Sequence, residues 1–299
     1  MRFSGFLGLV ALTACATAAP PADSQAPLRS LGEILEQSPA SDWRALDPEW
    51  TLYMELPQGR VIIALSPDFS PEHTENVRAL ARAHYWDGAA ILRVQDNYVV
   101  QWGRAEESPA DFGAAQREIA AHEYYRSASG LSFTRLQDPD SYAPQNGFTN
   151  GFWAARNGRD ETWMPHCYGV IGVGRENPPN TGNSSELYTV IGQAPRHLDR
   201  NLAMVGRIVQ GMELLTALPR GTGPLGFYEN PEQRTAIRSV RLASEVPASE
   251  RTNLEALRTD SQTFRDVIES RRHRREEFFA EPTGHINVCN VPLPVRAAR

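Results

Sequence analysis

The residues best suited to chemistry lie in one short segment of this chain, residues 90–103. Arg93 stands five positions before Tyr98 and eight before Gln101. Arginine is always charged and carries a rigid fork of donors, so the trio offers a fixed hydrogen-bond donor beside an apolar ring, without a nucleophile. Alone, Arg93 would be interpreted as a surface arginine on a strand and Tyr98 as a core aromatic. The interpretation therefore depends on a second segment further along the chain.

That second segment gives the first its significance. Residues 185–199 read Ser-Glu-Leu-Tyr-Thr-Val-Ile-Gly-Gln-Ala-Pro-Arg-His-Leu-Asp, and residues 204–212 read Met-Val-Gly-Arg-Ile-Val-Gln-Gly-Met.

The sequence lacks the motifs of hydrolases, dinucleotide-binding proteins and metal sites. The serines at 184 and 185 lack the Gly-x-Ser-x-Gly turn of a hydrolase. The glycines at 169, 172 and 174 do not fit Gly-x-Gly-x-x-Gly, and no two of the seven histidines have metal-ligand spacing.

Together the two segments resemble the cyclophilin-type peptidyl-prolyl cis-trans isomerases. That family has Phe-His-Arg-x4-Phe-Met-x-Gln-Gly-Gly in the first block. It has Gly-Ser-Gln-Phe-Phe-Ile, Leu-Asp and Val-Phe-Gly-x-Val-x-x-Gly-Met in the second. Both spacings from the arginine are the same here. The resemblance implies a mainly β fold, a closed eight-stranded antiparallel barrel capped by helices.

The resemblance also implies a role for each matched residue. Arg93 falls on the catalytic arginine, Gln101 on the glutamine that orients the substrate and the arginine, and Tyr98 on a phenylalanine of the proline pocket, so these three form the expected catalytic group. The residues expected to bind substrate are Val99, Gly174, Arg175, Glu186, Tyr188, His197 and Leu198. Of these, Tyr188 falls on the second pocket phenylalanine and Leu198 on the pocket leucine.

The implied reaction is rotation about an X–Pro bond, against an amide resonance barrier of ~18–20 kcal/mol. No bond is made or broken, so the reaction needs no metal and no cofactor. As the amide twists, the prolyl nitrogen gains a lone pair. A fixed guanidinium can then donate to it more strongly in the transition state than in the ground state. The expected partners are proline-containing exported polypeptides.

Several residues depart from the family pattern. Leu92 replaces the histidine before the arginine, and tyrosine replaces phenylalanine at Tyr98 and Tyr188, adding hydroxyls that need partners. Glu186 replaces a glutamine, and this carboxylate is expected to form an ion pair with Arg93. Because the pocket is altered, a second hypothesis stays open: a low-activity, cyclophilin-like module that binds proline peptides or acts as a chaperone.

Composition narrows the possibilities further. The chain has 299 residues and a net charge of −6, which argues against a nucleic-acid partner. All 30 basic residues are arginine, and there is no lysine. This excludes a Schiff-base lysine and a phosphate loop ending in Gly-Lys.

The first residues have the pattern of an export signal. Arg2 provides a positive start, residues 3–12 are apolar, and small residues come next. Residues 12–15, Leu-Thr-Ala-Cys, resemble a lipobox in which Cys15 would be lipidated, and Ala16 after it favours the outer membrane. Residues 16–18, Ala-Thr-Ala, resemble an ordinary secretory site instead. The expected location is the periplasm, lipid-anchored in the first case and soluble in the second.

Export would determine whether the other two cysteines can form a disulfide. Once Cys15 is assigned, Cys167 and Cys289 are the only two left, and an oxidising compartment permits them to form a disulfide. Two unpaired buried thiols are the alternative. No cysteine and histidine cluster indicates zinc.

The pattern along the chain gives the expected organisation. Residues 1–15 are the signal, 16–48 a tether, 49–245 the cyclophilin-like domain and 246–299 a C-terminal helical extension. A hairpin over 51–65 precedes a helix with Ser70 as N-cap and Pro71 at its first position. The insertion over 104–166 is expected to be helical from 105 to 125 and to decorate the barrel surface. Leu254, Leu257, Phe264 and Ile268 are expected to form one stripe on the C-terminal helix.

Overall fold

The computed structural model describes residues 29–105, 110–274 and 276–299. The expected signal segment and Cys15 lie outside these residues. The helices are α1 (Leu31–Glu36), α2 (Pro71–Arg82), α3 (Met212–Thr216) and α4 (Gln262–His273). The strands are β1 (Trp43–Ala45), β2 (Thr51–Leu56), β3 (Gly59–Leu65), β4 (Ala90–Val94), β5 (Val99–Gly103), β6 (Arg126–Ser127), β7 (Thr134–Leu136), β8 (Gln145–Thr149), β9 (Phe152–Arg156), β10 (Glu161–Trp163), β11 (Val170–Val173), β12 (Leu187–Val190), β13 (Met204–Gln210), β14 (Ser239–Leu242), β15 (Leu254–Leu257) and β16 (Val295–Ala297). Among the described residues, no helix is long and apolar enough to cross a bilayer.

The largest sheet has eight antiparallel strands in the order β14-β2-β3-β13-β11-β12-β5-β4. The expected hairpin over 51–65 is its β2 and β3. The sheet curls until its edges meet, where Ile91 N donates to Thr235 O at 2.9 Å and Ile237 N donates to Ala89 O at 2.8 Å. Its inner face buries a core that includes Leu52, Ile63 and Val100. The prediction of an eight-stranded, mainly β fold is confirmed.

Helix α2 begins where the sequence predicts, but its first turn is capped differently. The Ser70 hydroxyl makes no capping bond and instead donates to Met204 O at 3.0 Å. The carboxylate of Glu123, from the insertion, accepts from Glu72 N at 3.0 Å and from His73 N at 2.9 Å. A side chain distant in sequence therefore satisfies the free N–H groups of this helix.

The insertion is not the surface decoration that the sequence predicts. The described part of residues 105–125 contains no helix, because its backbone bonds to other segments. The side chain of Asn76 accepts from Gln116 N at 2.7 Å and donates to Gln116 O at 3.0 Å. The rest of the insertion forms a five-stranded sheet, β6-β10-β9-β8-β7. This sheet packs against α4 in a second core, where Phe148 meets Phe264 edge to face at 4.8 Å.

The C-terminal extension is part strand and part helix, so the single helical stripe is a wrong prediction. Leu254 and Leu257 belong to β15, which pairs with β1 on one side and β16 on the other. The helix α4 starts later because the Ser261 hydroxyl caps it, accepting from Phe264 N at 3.1 Å. Phe264 and Ile268 lie on α4 and are buried, as expected.

The predicted tether is too long. Helix α1 has a capping box in which Ser30 and Glu33 bond reciprocally, and Arg29 forms an ion pair with Asp266 of α4 at 2.6 Å. Strand β1 lies in the three-stranded sheet with β15. Residues 29–48 are therefore part of the folded structure, because they supply a helix and an edge strand that cover the second core.

The predicted disulfide is confirmed. Cys167 and Cys289 are joined, with their Cα atoms 5.0 Å apart. The bond attaches the C-terminal segment to a loop just before β11, at the second core. The alternative of two free thiols is wrong.

Candidate active site

One cavity of about 990 Å³ gathers nearly all the residues expected to act on substrate. Of the ten, those lining it are Arg93, Tyr98, Val99, Gln101, Gly174, Arg175, Glu186, Tyr188 and Leu198. His197 does not line it. His197 is on a short 3-10 turn where Arg196 points inward, which leaves the histidine exposed.

The guanidinium of Arg93 is fixed by acceptors on three sides. Its Nε donates to Leu225 O at 2.7 Å, its Nη1 to Gln101 Oε1 at 3.2 Å, and its Nη2 to Gln95 Oε1. Arg93 and Gln101 are direct cross-strand partners on β4 and β5, after a register shift that follows Ile91. Burial lowers the pKa of Arg93 from its ordinary value, although a guanidinium remains charged. Arg93 thus presents a preorganised cation at the cavity wall.

Two aromatic rings flank this cation. The guanidinium carbon of Arg93 lies 5.5 Å from the centre of the Tyr98 ring and 5.4 Å from that of Phe227. Phe227 and Leu225 come from a loop between α3 and β14 and are not among the residues expected from the sequence. In the sequence, only the closely spaced glycines at 221, 223 and 226 mark this loop, and in the structure Leu225 has a φ of 57°. Stacking and the Leu225 carbonyl hold Arg93 in one orientation.

Glu186 acts on Gln101 rather than on Arg93. Gln101 Nε2 donates to Glu186 Oε2 at 2.7 Å, which leaves Gln101 Oε1 facing Arg93. Within the described part of the chain, no carboxylate lies at ion-pair distance from Arg93. The expected ion pair between Glu186 and Arg93 is therefore wrong. The amide of Gln101 stands between them and bonds to both.

The ring of Tyr188 lines the cavity, but its hydroxyl points away. The hydroxyl lies 2.9 Å from His166 Nε2 and 3.8 Å from Met204 Sδ. Burial raises the pKa of Tyr188, so the phenol stays neutral. Gly172 on the paired strand makes room for it, because a Cβ there would overlap the Tyr188 ring and hydroxyl.

A buried polar chain continues behind His166. His166 Nδ1 lies 3.0 Å from Asp199 Oδ1, and Arg196 Nε donates to Asp199 Oδ2 at 2.6 Å. Arg196 then bonds both oxygens of Asp140 at 2.9 and 2.8 Å. Burial alone would raise the pKa of Asp199, but the bond from His166 and the charge of Arg196 hold that pKa below its usual value. The sequence predicted only that His166 is a surface or satisfied core histidine.

The rim of the cavity has one wall from the barrel and one from the insertion. Gly174 N donates to Glu186 O at 2.9 Å, and Arg175 reaches along the rim to donate to Asn201 O at 2.9 Å. Opposite lie residues 117–120 of the insertion, tied to the rim loop where Thr181 donates to Ile119 O. The insertion therefore forms one wall of this cavity.

The site thus combines an apolar pocket with a fixed guanidinium on a curled eight-stranded antiparallel sheet. Residues 51–242 match the model of the family described as cyclophilin type peptidyl-prolyl cis-trans isomerase/CLD. This match spans more than half of the chain, so the protein belongs to that family.

Individual proteins that are similar to this chain carry names of the same family. The chain is 24% identical over 190 residues to a protein of Brucella suis named a probable peptidyl-prolyl cis-trans isomerase, covering 63% of this chain and 82% of the relative. It is 35% identical over 78 residues to the peptidyl-prolyl cis-trans isomerase CYP23 of Arabidopsis thaliana, a match that covers 26% of this chain and 34% of the relative. The crystal structure of cyclophilin AquaCyp293 from Hirschia baltica superposes with a TM-score of 0.66 at 24% identity, covering 86% and 94% of the two chains. This last similarity shows a shared fold.

Proposed function

We propose that this protein catalyses cis-trans exchange at X–Pro bonds of exported polypeptides and assists their folding in the cell envelope. The observation that carries the proposal is the fixed guanidinium of Arg93 beside the pocket formed by Tyr98, Val99, Tyr188 and Leu198. A pyrrolidine ring would enter this pocket, which places the prolyl nitrogen near Arg93.

The hydrogen bonds of Arg93 suit this role. A guanidinium has five N–H groups, and the three bonds to Leu225, Gln95 and Gln101 use three of them. No other acceptor for the remaining two lies among the described residues. They can donate to a substrate whose amide is twisting. Because the donor is already oriented, little reorganisation is needed in the transition state.

Replacing Arg93 by alanine tests the enzyme function. In a protease-coupled assay with a proline peptide, we expect Arg93→Ala to lose two to three decades of kcat/KM, since one preorganised donor is worth ~3–4 kcal/mol. The melting temperature should change little, because the side chain is only half-buried. Arg258→Ala, which removes a surface arginine paired with Asp260, should leave the rate unchanged.

The same assay addresses the rival function. If wild type and Arg93→Ala both match the uncatalysed rate while wild type still binds proline peptides, the protein is a binding module or chaperone. The hydroxyl at Tyr98 and the smaller Val99 are the pocket features that favour this outcome.

The envelope location is supported by the sequence of residues 1–19 and by the cysteine pair. We propose lipidation at Cys15 and outer-membrane anchoring, with Ala16 as the residue after the lipidated cysteine. Growth with a clickable fatty acid should label the wild type and not Cys15→Ser. An unlabelled mature protein beginning at Ala19 would instead establish a soluble periplasmic form.

A further inference from the structure

The back of the proline pocket contains a polar group that a pocket for an apolar ring must keep out of reach. Tyr188 lines the cavity with its ring, yet its hydroxyl is buried in the protein interior. An unpaired hydroxyl there would attract water or turn toward the cavity, and either would compete with a pyrrolidine ring. How the hydroxyl is held therefore bears on substrate binding.

One side chain is positioned to hold it. His166 is fully buried, with its Nε2 2.9 Å from the Tyr188 hydroxyl, and its ring lies nearly parallel to the Tyr188 ring, at an interplanar angle of 11° and with the ring centres 6.3 Å apart. The other nitrogen, Nδ1, faces the Asp199 carboxylate at 3.0 Å. A carboxylate can only accept, so Nδ1 carries the proton. Nε2 is then the ring nitrogen that bonds the Tyr188 hydroxyl.

The tautomer and orientation of His166 are fixed by residues on its Nδ1 side, away from Tyr188. Asp199 also accepts from His166 N at 2.9 Å and from Arg196 Nε at 2.6 Å. Arg196 is in turn bonded to both oxygens of Asp140, and these three side chains are at most 6% exposed. A chain of this kind leaves His166 one orientation, because turning the ring would break bonds to buried charges.

We propose that His166 is a positioning residue of the isomerase, acting through Tyr188. By bonding the hydroxyl, it draws the polar end of the tyrosine away from the pocket, so that only the apolar ring face meets the proline. The inference rests on the proposed function. It gives the insertion a part in that function, since His166 and Asp140 both come from residues 104–166. The insertion would then determine how well the pocket binds.

The test compares His166→Ala, Tyr188→Phe and the double variant. For each, kcat, KM and the Kd of a proline peptide are measured. We expect His166→Ala to weaken Kd and raise KM about tenfold with little change in kcat, the scale of one orphaned buried hydroxyl. Tyr188→Phe keeps the pocket ring and removes only the hydroxyl, so its loss of affinity should be smaller than the tenfold loss of His166→Ala. The double variant should recover most of the affinity lost in His166→Ala.

Three outcomes would overturn the proposal: an unchanged Kd in His166→Ala, a double variant as weak as His166→Ala, or a tenfold loss in Tyr188→Phe, which would mean that the hydroxyl itself contacts substrate. Trp163→Phe is the control, because Trp163 donates to the same Asp199 at 3.3 Å without touching Tyr188. It should lower the melting temperature and leave Kd unchanged. If His166→Ala does not fold, a tenfold loss of affinity in Tyr188→Phe would still overturn the proposal. Absence of turnover in wild type would refute the proposed function, whereas the pattern of Kd values tests this inference alone.

Discussion

At the scale of single residues, the orientation of Gln101 determines what Arg93 can do. An amide presents an acceptor on one side and donors on the other. Glu186 takes a donor of Gln101 at 2.7 Å, so the acceptor side must face the guanidinium of Arg93. Glu186 therefore acts on Arg93 through the Gln101 amide, by fixing which end of the amide faces the guanidinium.

This arrangement predicts different effects for two substitutions of the same residue. Glu186→Gln can still accept from Gln101 through its amide oxygen, and it removes a negative charge from the pocket. We expect kcat/KM to stay equal or to rise. Glu186→Ala leaves the Gln101 amide free to flip, and we expect kcat/KM to fall several-fold. Steady-state rates on a proline peptide measure both.

The matched pair also shows what would contradict the mechanism. If Glu186→Gln lost as much activity as Glu186→Ala, the negative charge itself would be required. The role assigned to the bond with Gln101 would then be wrong.

The site residues that the sequence predicts well are those whose contacts are local to a strand pair. Arg93 and Gln101 lie on adjacent antiparallel strands joined by a short turn, so their spacing alone places them side by side. Phe227 and His166 could not be predicted in this way. Each reaches the site from a segment distant in the chain, and its neighbours in sequence, the loop glycines before Phe227 included, do not indicate which strand it will meet.

At the scale of elements, the insertion replaces local structure with bonds to α2. A sequence pattern predicted a helix over 105–125 because helical spacing is a local property. The two bonds between Asn76 and Gln116, and those from Glu123 to the first turn of α2, connect residues far apart in the chain. No local pattern encodes such bonds, so the strands and start of α2 were predictable and the path of the insertion was not.

The cap on α2 leads to a stability prediction. Replacing Glu123 by alanine should cost about 1 kcal/mol of unfolding free energy near neutral pH, the usual cost of a lost cap. Burial alone would raise the pKa of Glu123, but the bonds from His73 and from the helix N–H groups lower it overall. A lowered folded-state pKa means that this stabilisation is complete above the unfolded pKa, about 4.3, and is lost as pH falls through the folded value.

Urea denaturation of wild type and Glu123→Ala at several pH values measures this. The difference in unfolding free energy should be largest near pH 7 and should shrink below about pH 4. The exposed Glu232→Ala serves as the control and should show little difference at any pH. If the difference in unfolding free energy between wild type and Glu123→Ala stayed constant down to acidic pH, the Glu123 carboxylate would not be the cap of α2.

At the scale of the whole molecule, segments from both sides of the barrel sequence fold together. Strand β1, from the expected tether, and β16, from the expected extension, both pair with β15. Asp138 of the insertion bonds Arg272 of α4 at 2.6 Å and accepts from Ile286 N at 3.0 Å. The boundaries expected at 48 and 246 therefore do not separate independent pieces. They mark where the family pattern stops, while packing continues across them.

The disulfide between Cys167 and Cys289 has a mechanical consequence. A force applied through handles at Arg29 and Arg299 would first load β1 and β16 along their length, since Trp43 and Ala297 pair with opposite ends of β15. Once these strands shear, the covalent bond carries the load across a separation of 122 residues. The enclosed chain should stay slack, hiding roughly 400 Å of contour length at about 3.3–3.6 Å per residue.

Optical-trap pulling would measure that hidden length directly. Reducing agent, or the substitution Cys289→Ser, should lengthen the fully extended molecule by this amount. Equal lengths with and without reductant would mean that the cysteines are not joined. With the cysteines joined, the ends of the protein can yield while residues 168–288, which include β11 to β15, stay outside the covalent path that carries the load.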